Sequence, residues 1–230
     1  MVRKILFIPL GIMLGAAAIG LSFPFLGGVP GSEQNIIPRF ASQWYVGKGT
    51  EEQPTLQYLV HYQDKEFLAN LKFLEKIGDN EKIDLAIDDK KTGQHLEQQL
   101  EIGQAFVFIG VNDEMKPYVY ALDKSVFSVR DTLTGPKYLV VGAEWGTTFV
   151  GKFNPKLKTT EYSDTKLEFG ILKTFTVSYT INEIENKLWI ADNVPLPVKA
   201  QYYNIDGTED YSYELVSLEG NCKTLQQNCK

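Results

Sequence analysis

Two patterns of apolar and polar positions alternate along this chain. From Ile5 to Ser32 (ILFIPLGIMLGAAAIGLSFPFLGGVPGS) no residue is charged, and Arg3 and Lys4 stand immediately before that run. Beyond Phe40 the apolar residues fall at every second position. Leu56-Gln57-Tyr58-Leu59-Val60-His61-Tyr62, Ile83-Asp84-Leu85-Ala86-Ile87 and Thr174-Phe175-Thr176-Val177-Ser178-Tyr179 all follow this rule. A period of two turns one face of a strand inward, so the larger part of the chain reads as mainly β. Gly78-Asp79-Asn80, Lys91-Thr92-Gly93 and Asp206-Gly207 punctuate the strands as turns.

Two stretches also carry helical spacing. Phe67, Leu68, Leu71, Leu74 and Ile77 fit a helix with Asp64 as its cap, while Phe67, Ala69, Leu71 and Phe73 alternate. The turn directly after them and the better strands on either side favour a strand. A short helix is expected at Asp123 to Asp131, capped by Asp123, with Leu122, Val126, Phe127 and Arg130 on one face.

The resulting layout has a leader at 1–31 and a sandwich-like β half at 32–122. A curved antiparallel meander with the short helix follows at 123–219, and a tail at 220–230. One continuous sheet through both halves is the alternative, since no linker divides them. The 22 residues from Ile5 to Leu26 rise about 33 Å as a helix, enough to cross a ~30 Å hydrocarbon core. Arg3 and Lys4 then stay on the cytoplasmic side, and the β region faces outward. Ala16-Ala17-Ala18 offers the competing reading of a cleaved signal peptide. Cleavage there leaves Ile19, Leu21, Phe23, Phe25 and Leu26 as an apolar terminus in water, which favours a retained anchor.

Charge narrows the partners. The chain carries a formal −6, and setting aside Arg3 and Lys4 leaves −8 for the rest. Such an acidic surface repels nucleic acid. The expected partners are the membrane, through the leader, and a protein of the envelope or of a membrane complex. Cys222 and Cys229 stand close together in the tail, and an extracytoplasmic setting pairs them as a disulfide, with free thiols or intermolecular links as alternatives.

Little points to catalysis. His61 and His95 are the only histidines, too few for a His-rich metal site, and each reads as an ordinary strand residue. No nucleotide-binding or hydrolase motif occurs, no cofactor is implied, and no catalytic residue is assigned. Asp88-Asp89, Asn112-Asp113-Glu114 and the stretch from Asn204 to Asp210 are rich in oxygen ligands, yet each lies where a turn favours Asp, Asn and Gly. A carboxylate-dependent extracellular hydrolase is the enzymatic alternative.

The last strands carry a resemblance. Leu188-Trp189-Ile190-Ala191-Asp192, then Leu196-Pro197-Val198-Lys199-Ala200, Asp206-Gly207 and Tyr211-Ser212-Tyr213-Glu214-Leu215 resemble the closing strands of LolA/LppX-like carriers. The resemblance covers only this part of the chain, and no cysteine stands near the amino terminus as a lipid attachment site. It implies a half-open barrel shielding an apolar ligand, with Trp145, Phe175, Tyr179 and Trp189 as the candidate apolar-ligand face. In overall texture the chain also resembles membrane-tethered secreted archaeal proteins, a likeness that implies no activity. The leading expectation is thus a non-enzymatic, membrane-anchored extracytoplasmic binding or structural module. A carrier of lipid or another apolar ligand is the second.

Overall fold

The computed structural model describes residues 41–133, 135–148 and 153–220. The leader and the disulfide expected between Cys222 and Cys229 lie outside the described residues. In chain order the elements are β1 (Gln43–Trp44), β2 (Thr55–Tyr62), β3 (Lys65–Ile77), β4 (Asn80–Asp89), β5 (His95–Ile102) and β6 (Phe108–Ile109). Next come α1 (Lys116–Lys124), α2 (Val129–Thr132), β7 (Lys137–Tyr138), β8 (Glu144–Thr147) and β9 (Lys156–Leu167). The last are β10 (Gly170–Ile181), β11 (Ile184–Ile190), β12 (Lys199–Tyr203) and β13 (Glu209–Glu219). Among the described residues no helix is long and apolar enough to cross a membrane.

Eleven of the strands form one antiparallel sheet, ordered β6-β5-β4-β3-β2-β13-β12-β11-β10-β9-β8, and β1 pairs with β7 apart from it. Alternation builds this sheet directly. Leu56, Tyr58 and Val60 of β2 are fully buried, as are Phe67, Ala69 and Leu71 of β3 and Ile83 and Ile87 of β4. Leu85 of β4 is buried with them, and the residues that alternate with this set are half-buried or exposed. Directly opposed residues share a face, so the pairings Leu71 with Leu56 and Leu71 with Leu85 line up one apolar surface across three strands. Burying each such side chain contributes about 1.5–3 kcal/mol. The segment 65–77 is a strand in full.

The sandwich expected for 32–122 does not form. Strands β2 to β6 all belong to the single sheet. Their apolar face is covered by the helical segment, which buries Met115, Tyr118, Ala121, Leu122, Val126, Phe127 and Val129. Tyr118 meets Phe67 edge to face at 5.4 Å, and Phe127 meets Phe108 at 4.8 Å. A strand's alternation demands a cover for one face but does not say whether sheet or helix supplies it. The helix itself is displaced from its expected place. It starts at Lys116 with Pro117 in its first turn, where the missing N–H costs nothing, and the Asn112 side chain accepts a hydrogen bond from the Met115 N–H at 2.8 Å. Asp123 therefore lies in the last turn of α1 and caps nothing.

Bulges curve the sheet. Register shifts leave extra residues at Leu74–Glu75 of β3, Trp145 of β8, Thr160 of β9, and Asp210 and Val216 of β13. Each adds local twist and re-aims the side chains beside it.

A candidate binding groove

Three segments far apart in sequence meet beside the end of the β3–β4 hairpin. They are 45–53, which includes a 3₁₀ turn at Thr50–Glu52, the hairpin arms from Leu74 to Glu81, and the loop from Ile102 to Phe106. Between them lies a cavity of about 500 Å³. Tyr45, Val46, Leu74, Ile102 and Phe106 supply its apolar wall. Among the lining residues Glu51, Glu75, Asp79 and Glu81 bring four carboxylates against one ammonium, Lys76, an excess of three negative charges on the walls, with Lys82 reaching Glu75 at 4.0 Å from beside them.

Backbone geometry fixes this groove before any ligand arrives. Gly47 has φ +91°, and a Cβ there would lie 2.3 Å from Cζ of Phe106, so only glycine lets the two segments close. Ala105 and Phe106 both hold positive φ, 61° and 58°, a conformation that costs on the order of 1–3 kcal/mol per residue. Hydrogen bonds and a cation hold it. The Phe106 N–H donates to the Gly103 carbonyl at 3.0 Å, the Gly103 N–H to the Val107 carbonyl at 2.8 Å, and Arg130 Nη1 to the Phe106 carbonyl at 2.7 Å. Arg130 is itself anchored by Asp123 at 2.6 Å. The Thr50 hydroxyl lies 3.1 Å from both Glu81 Oε1 and the Gly47 carbonyl and donates to one at a time. Gln104 Nε2 donates to Asp79 at 3.2 Å across the mouth. Carboxylates, an amine, amides and a hydroxyl on such walls suit the capture of a cationic group.

The residues expected to form an apolar-ligand face do not share one. Phe175 and Tyr179 lie on the same side of β10, but Trp189 is directly opposite Thr176 and so projects from the other side. Trp145 stands apart, buried at its bulge, stacked on Trp44 at 6.1 Å and donating through Nε1 to the Tyr138 carbonyl at 3.1 Å. Phe175 stacks on Tyr162 at 4.3 Å, Tyr179 packs against Tyr202 at 5.9 Å, and Lys199 Nζ lies 5.9 Å over the Trp189 ring. The side of β10 and β11 that carries Tyr179 is filled by Val177, Leu188 and Ile190, all buried. The resemblance grouped these aromatics without the register between their strands, and a one-residue offset reverses a side chain.

The oxygen-rich stretches do structural work. Asp206 accepts from the Thr208 N–H and hydroxyl at 3.0 and 2.6 Å, and Asp113 pairs with Lys116 at 2.6 Å. Among the described residues no group of three metal-ligating side chains gathers. His95 bridges Asp88 at 2.6 Å and Glu97 at 3.0 Å, and His61 faces Glu66 at 3.8 Å. Asp89, buried under α1, accepts from the Tyr118 hydroxyl at 2.6 Å and from the Lys91 and Thr92 N–H groups at 2.8 Å each. The Tyr118 hydrogen bond first, then the backbone donors, lower its pKa to about 2. A carboxyl held below its unfolded value stabilises the fold above that unfolded value, and the contribution is lost as pH falls through the folded one. The expected loss, roughly 1–2 kcal/mol between about pH 4 and pH 2, should shrink in Tyr118→Phe when urea stability is followed against pH.

None of the groove residues announced itself in the sequence. Gly47 and Gly49 around Lys48 mark a turn, but nothing local pairs that turn with Phe106 or with Glu81. No family model and no curated protein matches the chain. A chain in the complex structure of Pseudomonas aeruginosa MucA/MucB is similar to it at 7% identity and a TM-score of 0.38, over 75% of this chain and 54% of that one. The present chain thus spans about half the length of the chain it matches, and a likeness so shallow assigns no function.

Proposed function

We propose that the protein is an extracytoplasmic binding module of the cell envelope, held at the membrane by its leader, and that its groove takes a positively charged segment of a partner polypeptide. One observation carries this reading: a preformed groove of about 500 Å³ whose walls hold three negative charges in excess beside an apolar floor. A Lys or Arg side chain places its charge among the carboxylates and its methylene stem against Val46, Leu74 and Phe106. Charge complementarity of this kind governs encounter rate and partner choice more than raw affinity.

The test is titration of the full chain with an arginine- and lysine-rich decapeptide and with an acidic decapeptide of equal length. Glu51→Gln with Glu75→Gln should weaken the basic peptide by about 10–100-fold and leave the thermal melt unchanged. Equal affinity for the acidic peptide, or none for either, overturns the reading.

The apolar-ligand alternative retains one supporting feature. At the β9–β10 tip Tyr162 and Ile171 are 50% and 68% exposed, and Tyr162 stacks on half-buried Phe175. Saturable binding of a fatty-acyl probe that Phe175→Ala abolishes would move the assignment there.

A further inference from the structure

The groove wall formed by 45–53 has little backbone pairing to hold it. β1 contributes two paired residues, Gln43 and Trp44, and the 3₁₀ turn spans three. Trp44 fixes the base of the segment, through its stack on Trp145 and its Nε1 donation to the Val194 carbonyl at 2.8 Å. From there the chain has to return to β2, which starts at Thr55, and Tyr45, Val46 and Gly47 line the cavity on the way.

One ammonium gathers that stretch. Lys48 Nζ donates to the Gln43 carbonyl at 2.6 Å, to Ser42 Oγ at 3.2 Å and to Asp192 Oδ1, so all three of its hydrogens are used. The Ser42 hydroxyl donates in turn to Asp192 Oδ2 at 2.7 Å, and the Asn193 N–H to Oδ1 at 3.0 Å. Asp192 stands 144 residues away in the sequence, two residues past the end of β11. Beside this clasp the Gly47 N–H donates to the Pro195 carbonyl at 2.8 Å. The Lys48 side chain is 18% exposed and that of Asp192 42%, so water screens the pair only in part. Ser42, Lys48 and Asp192 all stand outside the cavity lining.

We infer that Lys48 and Asp192 are positioning residues of the groove: their ion pair sets how far the 45–53 wall stands from Phe106, and so what the groove holds. This rests on the reading of the groove as a site for a basic segment. The leverage comes from Gly47, the residue before Lys48. The Phe106 ring is so near that a Cβ on Gly47 would lie 2.3 Å from its Cζ, and a shift of the Lys48 backbone therefore changes the gap directly. Asp192 also neutralises an ammonium one residue from that wall, which would otherwise repel a basic segment.

Charge and position pull Lys48→Met in opposite directions. Losing a cation beside an acidic groove would tighten a basic peptide, whereas losing the clasp loosens the wall and weakens it. In titrations of the full chain with the arginine- and lysine-rich decapeptide, Lys48→Met and Asp192→Asn should each weaken binding about three- to tenfold. The double variant should lose no more than either alone, because the pair acts as one unit. Amide hydrogen exchange reads the wall without any ligand. The Gly47 and Thr50 N–H groups should lose protection in both variants while the amides of β4 keep theirs. Tighter or unchanged binding in Lys48→Met, Gly47 exchange equal to that of the native chain, or loss of protection that spreads to β4 overturns the inference. If the native chain binds no basic peptide, the proposed function fails by itself, and faster Gly47 exchange in both variants still upholds the clasp.

Discussion

Replacing Trp145 by Ala is expected to destabilise the fold by roughly 3–5 kcal/mol, the range for truncating a large core aromatic, and to lower the melting temperature by on the order of 10 °C. Trp145 is 1% exposed and stacks on Trp44, which is fully buried and donates to the Val194 carbonyl at 2.8 Å. Removing one indole therefore leaves a cavity against the other and takes one of two donors from the Tyr138 carbonyl, which keeps the Val140 N–H at 3.1 Å. Trp189→Ala offers the contrast. That ring is half-buried, on the face away from Tyr179, with Lys199 above it, so the loss should be about 1–2 kcal/mol. Urea denaturation of the two variants checks both values, and equal losses would contradict the placement of either ring.

Arg130→Ala should cost about 2–4 kcal/mol and weaken the groove at the same time. Only 11% of the Arg130 side chain is exposed, and Asp123, its partner, is 29% exposed. The truncation strands that carboxylate and removes the donor that holds the Phe106 carbonyl. With the donor gone, the positive φ values of Ala105 and Phe106 lose one of their three hydrogen-bonded restraints and the groove wall relaxes. Arg130→Lys keeps the charge but cannot span Asp123 and Phe106 together with one compact ammonium, so it should recover only part of the loss. Midpoints at constant denaturant dependence read the stability term, and affinity for the basic decapeptide reads the wall. A variant that unfolds earlier yet binds with unchanged affinity would separate Arg130 from the groove.

The individual strands were legible because burial of one face is written in adjacent residues: Leu56, Tyr58, Val60 and Tyr62 need no distant partner to declare a strand. Segment 65–77 was decided the same way, by its neighbours and its turn. The identity of the covering layer was not legible, since Phe67 and Leu85 demand apolar contact without distinguishing Tyr118 on a helix from a facing strand. Pro117 and Asn112 did mark the start of α1, but the apolar spacing of Val126 and Phe127 drew the helix further along the chain. Which faces Trp189 and Phe175 occupy depends on a register set by backbone pairing, and no side chain encodes that alone. The groove was invisible for a related reason: Gly47, Phe106 and Arg130 come together only after three loops have been folded onto the same end of the sheet.

The pairing of β2 with β13 has a consequence for the order of events during synthesis. Val60 lies opposite Tyr213, and Leu56 opposite Leu218, so the middle of the sheet is a seam between the first long strand and the last. As the chain emerges, β2 can find β3 at once, while its other edge stays open until about 150 further residues have followed, the separation between Val60 and Tyr213 in the sequence. Pairings over such distances close slowly, because the entropy of the intervening loop is lost before the contact returns any energy. An unpaired edge of that kind is also where a partly made chain is most exposed to joining another. Loss of the final strand would therefore reopen the centre of the sheet rather than trim its rim, and a nonsense change ahead of Glu209 would be felt first at β2, the earliest long strand to form.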